Sequence, residues 1–118
     1  MAGIPTLPDI QGLTSELAEA ARYRNNPAGY MIERLKAQLK IFQRKISDDA
    51  EVGIMVAGNA GTFHLRQISV SNPDMLIFDG IDQDGRTMQL FQHHSQLSVM
   101  LVEVPKIEDQ PYRIGFTT

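Results

Sequence analysis

The sequence predicts an α+β protein in which N-terminal helices precede a five-stranded antiparallel meander that curls into a small barrel. Two observations predict this class. Apolar residues recur at helical spacing between positions 27 and 46, and from position 51 onward they alternate with polar residues in short segments separated by turns. We therefore divide the 118 residues into an N-terminal arm with a short helix (1–26) and a single helix-plus-barrel domain (27–118).

Two helices are predicted before the strands. Residues 1–12 contain two prolines and two glycines and indicate an irregular arm, and residues 14–24 suit a short helix that begins at Thr14 or Ser15. Asn26 is the predicted N-cap of a second helix, with Pro27 as its first residue and Ile46 near its end.

The second helix carries apolar residues at spacings of 4, 3, 4, 3 and 4. These residues are Ala28, Ile32, Leu35, Leu39, Phe42 and Ile46. Because the seam is too short for a stable free coiled coil, we expect the helix to pack on the sheet and also to contact a second subunit. The predicted interface residues are Ile32, Leu35, Leu39 and Phe42.

Five strands are predicted in the remainder of the chain. They are residues 51–57, 62–71, 75–81, 86–93 and 97–104. A hairpin turn is predicted at residues 58–61, and short turns rich in Asn, Asp, Gly or Pro separate the next strands. The tail from Tyr112 to Phe116 is a candidate edge strand.

Composition narrows the function classes. The chain has no cysteine, which excludes disulfides, thiolate metal sites and cysteine nucleophiles. It has no apolar run long enough to span a bilayer and no signal-peptide pattern at the N-terminus, so we expect a cytoplasmic protein without a membrane partner. The net charge is −3, but residues 22–46 carry +6 between acidic segments. That basic segment indicates either packing against acidic surface or an anion-attracting surface.

Catalytic and metal-binding patterns are weak, so we expect no enzyme activity, metal or cofactor. His93 and His94 are adjacent, and adjacent side chains of a strand point to opposite faces. Ser95 and Ser98 lack the glycines of a nucleophile elbow. The chain also lacks a phosphate-binding loop, a dinucleotide fingerprint and a zinc-protease motif.

The most informative segment is residues 88–102, which is strongly strand-like but polar in its middle. Alternation in the fourth strand directs Met88 and Leu90 to the core and Gln89, Phe91 and His93 to the other face. An aromatic plane between hydrogen-bonding side chains is the kind of surface a nucleobase requires. Alternatively, Phe91 is covered by the second helix or by a neighbouring subunit.

Two arginines complete the candidate ligand site. Arg66 shares a strand face with His64 and Thr62, and Arg113 in the tail is a second candidate phosphate contact. The predicted ligand-binding residues are Arg66, Gln89, Phe91, Gln92, His93 and Arg113.

The residues Gln89-Leu90-Phe91-Gln92-His93 before the last strand, together with a helix and five strands, resemble the Sm-like family and its Hfq-like members. That resemblance covers residues 30–104 and implies a ring whose pore binds RNA. Phe91, Gln92 and His93 match the pore-lining positions of that family. The chain departs from the family at Gln92, where the family has lysine, and at Arg66, where it has a small residue.

The chain is also similar, in its size and its lack of catalytic motifs, to small phage proteins that oligomerise and sequester nucleotide immune signals, such as Thoeris anti-defence proteins. The tail Arg113-Ile114-Gly115-Phe116 resembles an uncharacterised family of small bacterial and phage proteins.

Three functions are therefore predicted, with a homo-oligomer that binds a nucleotide-type ligand first. The ligand would be a cyclic nucleotide or an ADP-ribose-derived immune signal. The net negative charge of the chain disfavours binding to long nucleic acid, because such binding depends on the neutralisation of phosphates by basic residues. The alternatives are an Sm-like RNA-binding protein and a structural or protein-interaction module without a small ligand.

Overall fold

The computed structural model describes residues 7–56 and 61–116, with side chains from residue 12 onward. Two helices come first, α1 (Leu7–Asn25) and α2 (Pro27–Lys45). A single sheet follows, with strands β1 (Ala50–Val56), β2 (Thr62–Ser71), β3 (Met75–Ile81), β4 (Thr87–His93) and β5 (Val99–Pro105), and a short 3₁₀ turn (His94–Gln96) joins β4 to β5. All pairings are antiparallel, which confirms the α+β class.

Helix α1 begins at Leu7, so the predicted irregular arm was wrong for residues 7–12, and the predicted cap at Thr14 or Ser15 was wrong as well. Residues 1–6 of that arm lie outside the described residues. Pro8 lies in the first helical turn, where its missing N–H has no intrahelical acceptor in any case. Gly12 lies in the helix interior, where glycine costs only about 1 kcal/mol relative to alanine. Neither residue is therefore sufficient to break the helix.

Helix α2 begins as its sequence predicts. The side chain of Asn26 accepts a hydrogen bond from the Gly29 backbone N–H at 3.1 Å, and Pro27 is the first helical residue. This cap satisfies one of the four N–H groups that a helix leaves without an intrahelical partner.

The apolar seam of α2 packs on the sheet of its own chain. Ala28, Ile32 and Leu39 are buried, and Leu35 and Phe42 are half-buried against the same core. Because Ile32 and Leu39 are almost completely covered within the chain, they have little surface left for the predicted subunit contact. The predicted packing of the helix on the sheet is therefore observed, whereas the subunit contact stays a prediction.

The sheet has the strand order β4-β3-β2-β1-β5 and is not closed into a barrel, so that part of the predicted fold was wrong. Closure would require β4 to pair with β5, and these are the two edges of the sheet in the described residues. Alternating polarity shows which face of a strand is buried but does not determine whether the first and last strands meet.

Strand β2 changes neighbours along its length. It pairs with β1 over three residue pairs, from Met55 with Thr62 to Gly53 with His64. It pairs with β3 from His64 to Ser71, with a bulge between Leu65 and Gln67. The predicted turn at residues 58–61 lies outside the described residues except for Gly61.

The joint between β4 and β5 agrees with the prediction, because residues 94–96 form the 3₁₀ turn.

The tail does not add an edge strand, contrary to expectation. Instead, Ile114 is buried against the core. The backbone N–H of Ile114 donates to Gln43 Oε1 at 2.8 Å, and Gln43 Nε2 donates to the Ile114 carbonyl at 3.2 Å.

Neither helix of the described residues combines the length and apolar character that crossing a membrane requires.

Candidate ligand-binding cavity beside Arg66

The core side chains of β1 and β2 face α2, and the alternate residues lie on the opposite face of the sheet, here called the outer face. Glu51, His64 and Arg66 lie on the outer face. His64 pairs directly with Gly53, so Glu51, two residues before Gly53, is its diagonal neighbour. Arg66 follows two residues after His64, at the bulge. The register of two strands thus brings three ionisable side chains together.

Glu51 is the centre of this cluster and is only 1% exposed. Its Oε1 atom lies 2.5 Å from His64 Nδ1 and 3.3 Å from both terminal nitrogens of Arg66. Because an ionised carboxylate only accepts hydrogen bonds, the contact with His64 requires a proton on Nδ1. The buried carboxylate is therefore compensated by an adjacent cation and a second donor.

Burial by itself raises the pKa of Glu51, but three partners outweigh that effect. The Tyr112 backbone N–H, the His64 ring and the Arg66 guanidinium all stabilise the charged form, so the pKa of Glu51 lies below its ordinary value of 4.5. The carboxylate is consequently held ionised at neutral pH.

The C-terminal tail covers this cluster. The Tyr112 backbone N–H donates to Glu51 Oε2 at 2.7 Å, and the Arg66 guanidinium lies over the Tyr112 ring at 4.4 Å from its centroid. This distance is within the range of a cation–π contact. Arg66 is thereby held between a carboxylate and an aromatic ring.

Arg113 fastens the tail to the start of β1. Its Nη1 donates to the Ala50 carbonyl at 2.6 Å, and its Nη2 lies 3.4 Å from the Ser47 carbonyl and 3.3 Å from the Asp48 carbonyl. These bonds occupy part of the guanidinium, so Arg113 positions the tail as well as lining the site.

A cavity of about 490 Å³ opens between the tail and the outer face. Its lining residues are Glu51, Arg66, Ile81, Glu108, Gln110, Pro111, Tyr112 and Arg113. The two arginines and two glutamates balance one another. Its volume is within the usual range for small-molecule sites, which is about 300–1,000 Å³.

The structure brings together two of the six predicted ligand residues, Arg66 and Arg113. Both line the cavity beneath the tail.

The predicted residues of β4 lie on a separate surface. Gln89, Phe91 and His93 share the outer face of β4, as predicted, and Phe91 is 53% exposed. Helix α2 therefore does not cover Phe91. Both polar neighbours have partners, since Gln89 Nε2 donates to Asp79 Oδ1 at 2.7 Å and His93 Nδ1 lies 2.8 Å from Ser95 Oγ.

Gln92 lies on the opposite face of β4 from Phe91. Its Oε1 atom is buried and has no hydrogen-bond partner among the described residues. Gln92 cannot therefore join Phe91 at one base edge within a single chain, as the sequence-based site required.

Sequence reasoning missed Glu51, Tyr112 and Gln110. Glu51 could have been found from the sequence, because it is a charged residue inside the predicted first strand. Pairing of the first strand with the second would place its side chain near that of His64. No local signal identifies Tyr112, because it meets Glu51 across 61 positions.

The arrangement places a guanidinium and an aromatic ring on the cavity wall, and its two buried ionisable side chains already contact one another. Glu51 and His64 are 1% and 4% exposed and are committed to partners within the protein, whereas Tyr112 is accessible from solvent. In the described residues, no group of three or more acidic or histidine side chains is placed to hold a metal ion.

No family model matches the chain, and neither the curated proteins nor the solved structures contain a significantly similar protein.

Proposed function

We propose that this protein is a non-enzymatic, homo-oligomeric binding protein for a nucleotide-type ligand, and that the ligand occupies the cavity beside Arg66. One observation carries the proposal: a guanidinium held in a fixed position and an accessible aromatic ring line the same cavity, with a second guanidinium beside them. Rings recognise bases by stacking, and guanidinium groups recognise phosphate by charge and paired hydrogen bonds.

Tyr112 supplies the stacking surface. The residue is 42% exposed although Arg66 lies over its ring. A base that stacks on the accessible side of the ring would form the third layer of a stack, after the Arg66 guanidinium and the Tyr112 ring. Gln110, at the same rim, offers an amide that can both donate to and accept from a base edge.

The charge of the cavity favours a ligand with few phosphates. Arg66 is already neutralised by Glu51 at 3.3 Å, and Glu108 lines the same cavity as Arg113. A triphosphate would bring several negative charges to a cavity whose arginines are already balanced by glutamates, whereas a cyclic nucleotide or an ADP-ribose derivative carries fewer negative charges. These ligand classes agree with the proposed sequestration of an immune signal.

The outer face of β4 is assigned to subunit association in this proposal. β4 and β5 are both sheet edges of seven residues, and an edge presents unpaired backbone groups to another chain. Each edge also exposes a large apolar side chain, Phe91 at 53% and Met100 at 59%. Pairing of β4 with β5 of a second copy would satisfy the unpaired backbone groups of both edges. It would also place a neighbouring strand beside Phe91 and Met100.

The Sm-like RNA-binding alternative rests on the same β4 surface. An accessible Phe91 ring between Gln89 and His93 is also suited to single-stranded RNA if subunits assemble into a ring. That alternative predicts RNA bound to the purified protein and a steep loss of binding with salt.

Calorimetric titration and thermal shift with ADP-ribose, a cyclic dinucleotide and a cyclic trinucleotide test the leading proposal. We expect at least one probe to raise the free energy of unfolding, by about 2.7 kcal/mol at a ligand concentration of 100 Kd. Tyr112→Leu should abolish the effect. Tyr23→Leu is the matched control, since Tyr23 has the same 42% exposure and lies on α1.

Three outcomes count against the proposal. If no probe binds, the ligand class is wrong. If Tyr112→Leu binds normally while Phe91→Ala does not, the ligand site lies on β4. If native mass spectrometry finds only monomer at micromolar concentration, the homo-oligomer is excluded.

A further inference from the structure

A second cavity, of about 750 Å³, lies elsewhere, in a groove between α2 and β2. Its lining residues are Arg22, Asn25, Asn26, Gly29, Tyr30, Ile32, Glu33, Lys36, Gln67, Ile68, Ser69, Val70 and Asn72. It is called the α2–β2 groove below, and it shares no residue with the Arg66 cavity.

One wall of the groove is a strand edge rather than a strand face. Gln67, Ile68, Ser69 and Val70 are consecutive residues of β2, and their side chains alternate between the two faces of the sheet. All four can line a single cavity only if that cavity runs along the edge of the strand.

That edge is unpaired over most of the groove. The pairing of β2 with β1 ends at His64, whereas its pairing with β3 continues to Ser71. Within the described chain, no other strand occupies the second side of residues 67–71, and no hydrogen bond joins the backbone of that side to α2. Backbone donors and acceptors therefore face the groove over about 16 Å of strand.

The other wall is one stripe of α2. Gly29, Ile32, Glu33 and Lys36 follow helical spacing and lie on one side of the helix. The backbone hydrogen bond from Ala28 N–H to the Pro73 carbonyl, at 2.8 Å, ties the two walls together at one end. The groove is thus elongated and closed at that end.

We propose that the α2–β2 groove binds an extended peptide of a partner protein, which adds to β2 as a strand. An added strand is the ligand that satisfies a row of unpaired backbone groups, and side-chain pockets along the groove then select its sequence. The half-buried Val70 offers an apolar contact to one side chain of such a peptide, and the small exposed parts of Ile32 and Ile68 also line the groove.

The net positive charge of the groove favours acidic residues in the peptide. Arg22 and Lys36 line the groove against the single acid Glu33, and Lys36 forms no ion pair in the described part of the chain. The partner segment is therefore an extended peptide of alternating apolar and acidic residues.

A nucleotide is a poorer fit to this groove. Tyr30 is the aromatic residue that lines it, and two guanidinium groups, those of Arg22 and Arg34, lie 5.7 and 5.6 Å from its ring centroid. The edge contact with Tyr23, at 5.5 Å between centroids, occupies a further side. Little of the ring is left for stacking on a base.

Selection from a displayed library of random-sequence peptides, followed by calorimetry with the best synthetic peptide, tests the proposal. Lys36→Glu should weaken binding by about tenfold or more. Lys40→Glu is the matched control, because Lys40 is an exposed lysine of α2 that does not line the groove, and it should leave the affinity unchanged. Circular dichroism verifies that both variants fold.

Two alternately N-methylated forms of the peptide test strand addition itself. Only every second amide of an added strand points toward β2, so one pattern of N-methylation should abolish binding and the other should preserve it. Hydrogen exchange should slow at residues 67–71 when the peptide binds.

The proposal is overturned if no peptide is enriched, if Lys36→Glu binds normally, or if both N-methylation patterns are tolerated. It is also overturned if exchange slows at residues 108–113 instead, or if ADP-ribose occupies the groove. Because the Arg66 cavity has its own probe and its own Tyr112→Leu variant, either proposal can fail without the other.

Discussion

The Glu51 carboxylate lies 2.5 Å from Nδ1 of His64, and both side chains are almost completely buried on the outer face of the sheet. Four donor groups converge on this one carboxylate, namely His64 Nδ1, the two terminal nitrogens of Arg66 and the Tyr112 backbone N–H. The first and second strands and the C-terminal tail therefore meet at a single charge.

Removal of that charge should destabilise the protein strongly. Glu51→Ala leaves Arg66 and His64 without their buried partner, and breaking a buried ion pair costs about 3–5 kcal/mol. Urea denaturation measures the loss. Asp84→Ala is the control, because the Asp84 side chain is 73% exposed where it meets Arg86, and it should change the free energy of unfolding by less than about 0.5 kcal/mol. Equal effects of the two variants would contradict a central role for Glu51.

Acid should destabilise the protein through the same carboxylate. The folded pKa of Glu51 lies below the ordinary value of 4.5, so folding favours the ionised form. That stabilisation is fully present above pH 4.5 and is lost as the pH falls from 4.5 through the folded pKa. Urea denaturation between about pH 6 and about pH 3 measures it. The Glu51→Gln variant should lose less stability over this range than the wild type, and parallel curves would show that other groups dominate.

Two phenylalanines should respond in opposite ways to truncation. Phe78 is 0% exposed at the centre of the core, and Phe78→Ala should cost about 3–5 kcal/mol. Phe91, on the outer face of β4, should tolerate the same change within about 0.5 kcal/mol in the monomer. Guanidinium denaturation at low protein concentration compares them. The proposed subunit contact through β4 predicts that the loss at Phe91 grows with protein concentration, and a loss that stays small at every concentration would contradict that contact.

Gly80 should not tolerate a side chain. A Cβ atom at this position would collide with the Phe63 ring and the His64 carbonyl, next to the bulge of β2. Gly80→Ala should therefore lower the free energy of unfolding by about 1–3 kcal/mol. Gly12→Ala in α1 is the control, since no atom beyond its chain neighbours and the backbone of its own helical turn lies within 4 Å of the added methyl group, and it should be neutral or stabilising. Thermal denaturation distinguishes the two.

The Asn26 cap should account for about 1 kcal/mol of stability. Asn26→Ala removes the acceptor of the Gly29 N–H, which has no intrahelical partner. Asn25→Ala is the control, because Asn25 is the exposed last residue of α1 and does not cap α2. Thermal denaturation followed by the helical circular dichroism signal compares the stability of the two variants. No difference between them would contradict a stabilising role for the Asn26 side chain.

Local patterns predicted much of this fold. The cap and first residue of α2, the limits of β2 and β3, and the assignment of Met88 and Leu90 to the core agree with the structure. Each depends on residues within one or two turns of helix or on strand alternation, so short-range sequence contains the necessary information. The predicted start of α1 is wrong because the helix formers around Pro8 and Gly12 outweigh the cost of those two residues.

The candidate site was predicted less well, and the reason is distance along the chain. Arg66 and Arg113 were both selected from sequence, but their meeting depends on the tail returning to the start of β1, 63 positions from Arg113 to Ala50. The predicted site combines Gln92 with Phe91, although strand alternation places these two side chains on opposite faces of β4. Glu51 was not selected, since its significance depends on Tyr112 and His64 together.

The sequence by itself determined the helices, the strands and the inward or outward direction of most side chains, because backbone propensity and the periodicity of apolar residues act over a few positions. Only the tertiary structure decided that the sheet stays open, that Arg66 lies between Glu51 and Tyr112, and that the edge of β2 faces α2. These relationships join residues far apart in the chain, and they depend on the sum of packing and hydrogen bonding over the whole molecule rather than on any local pattern.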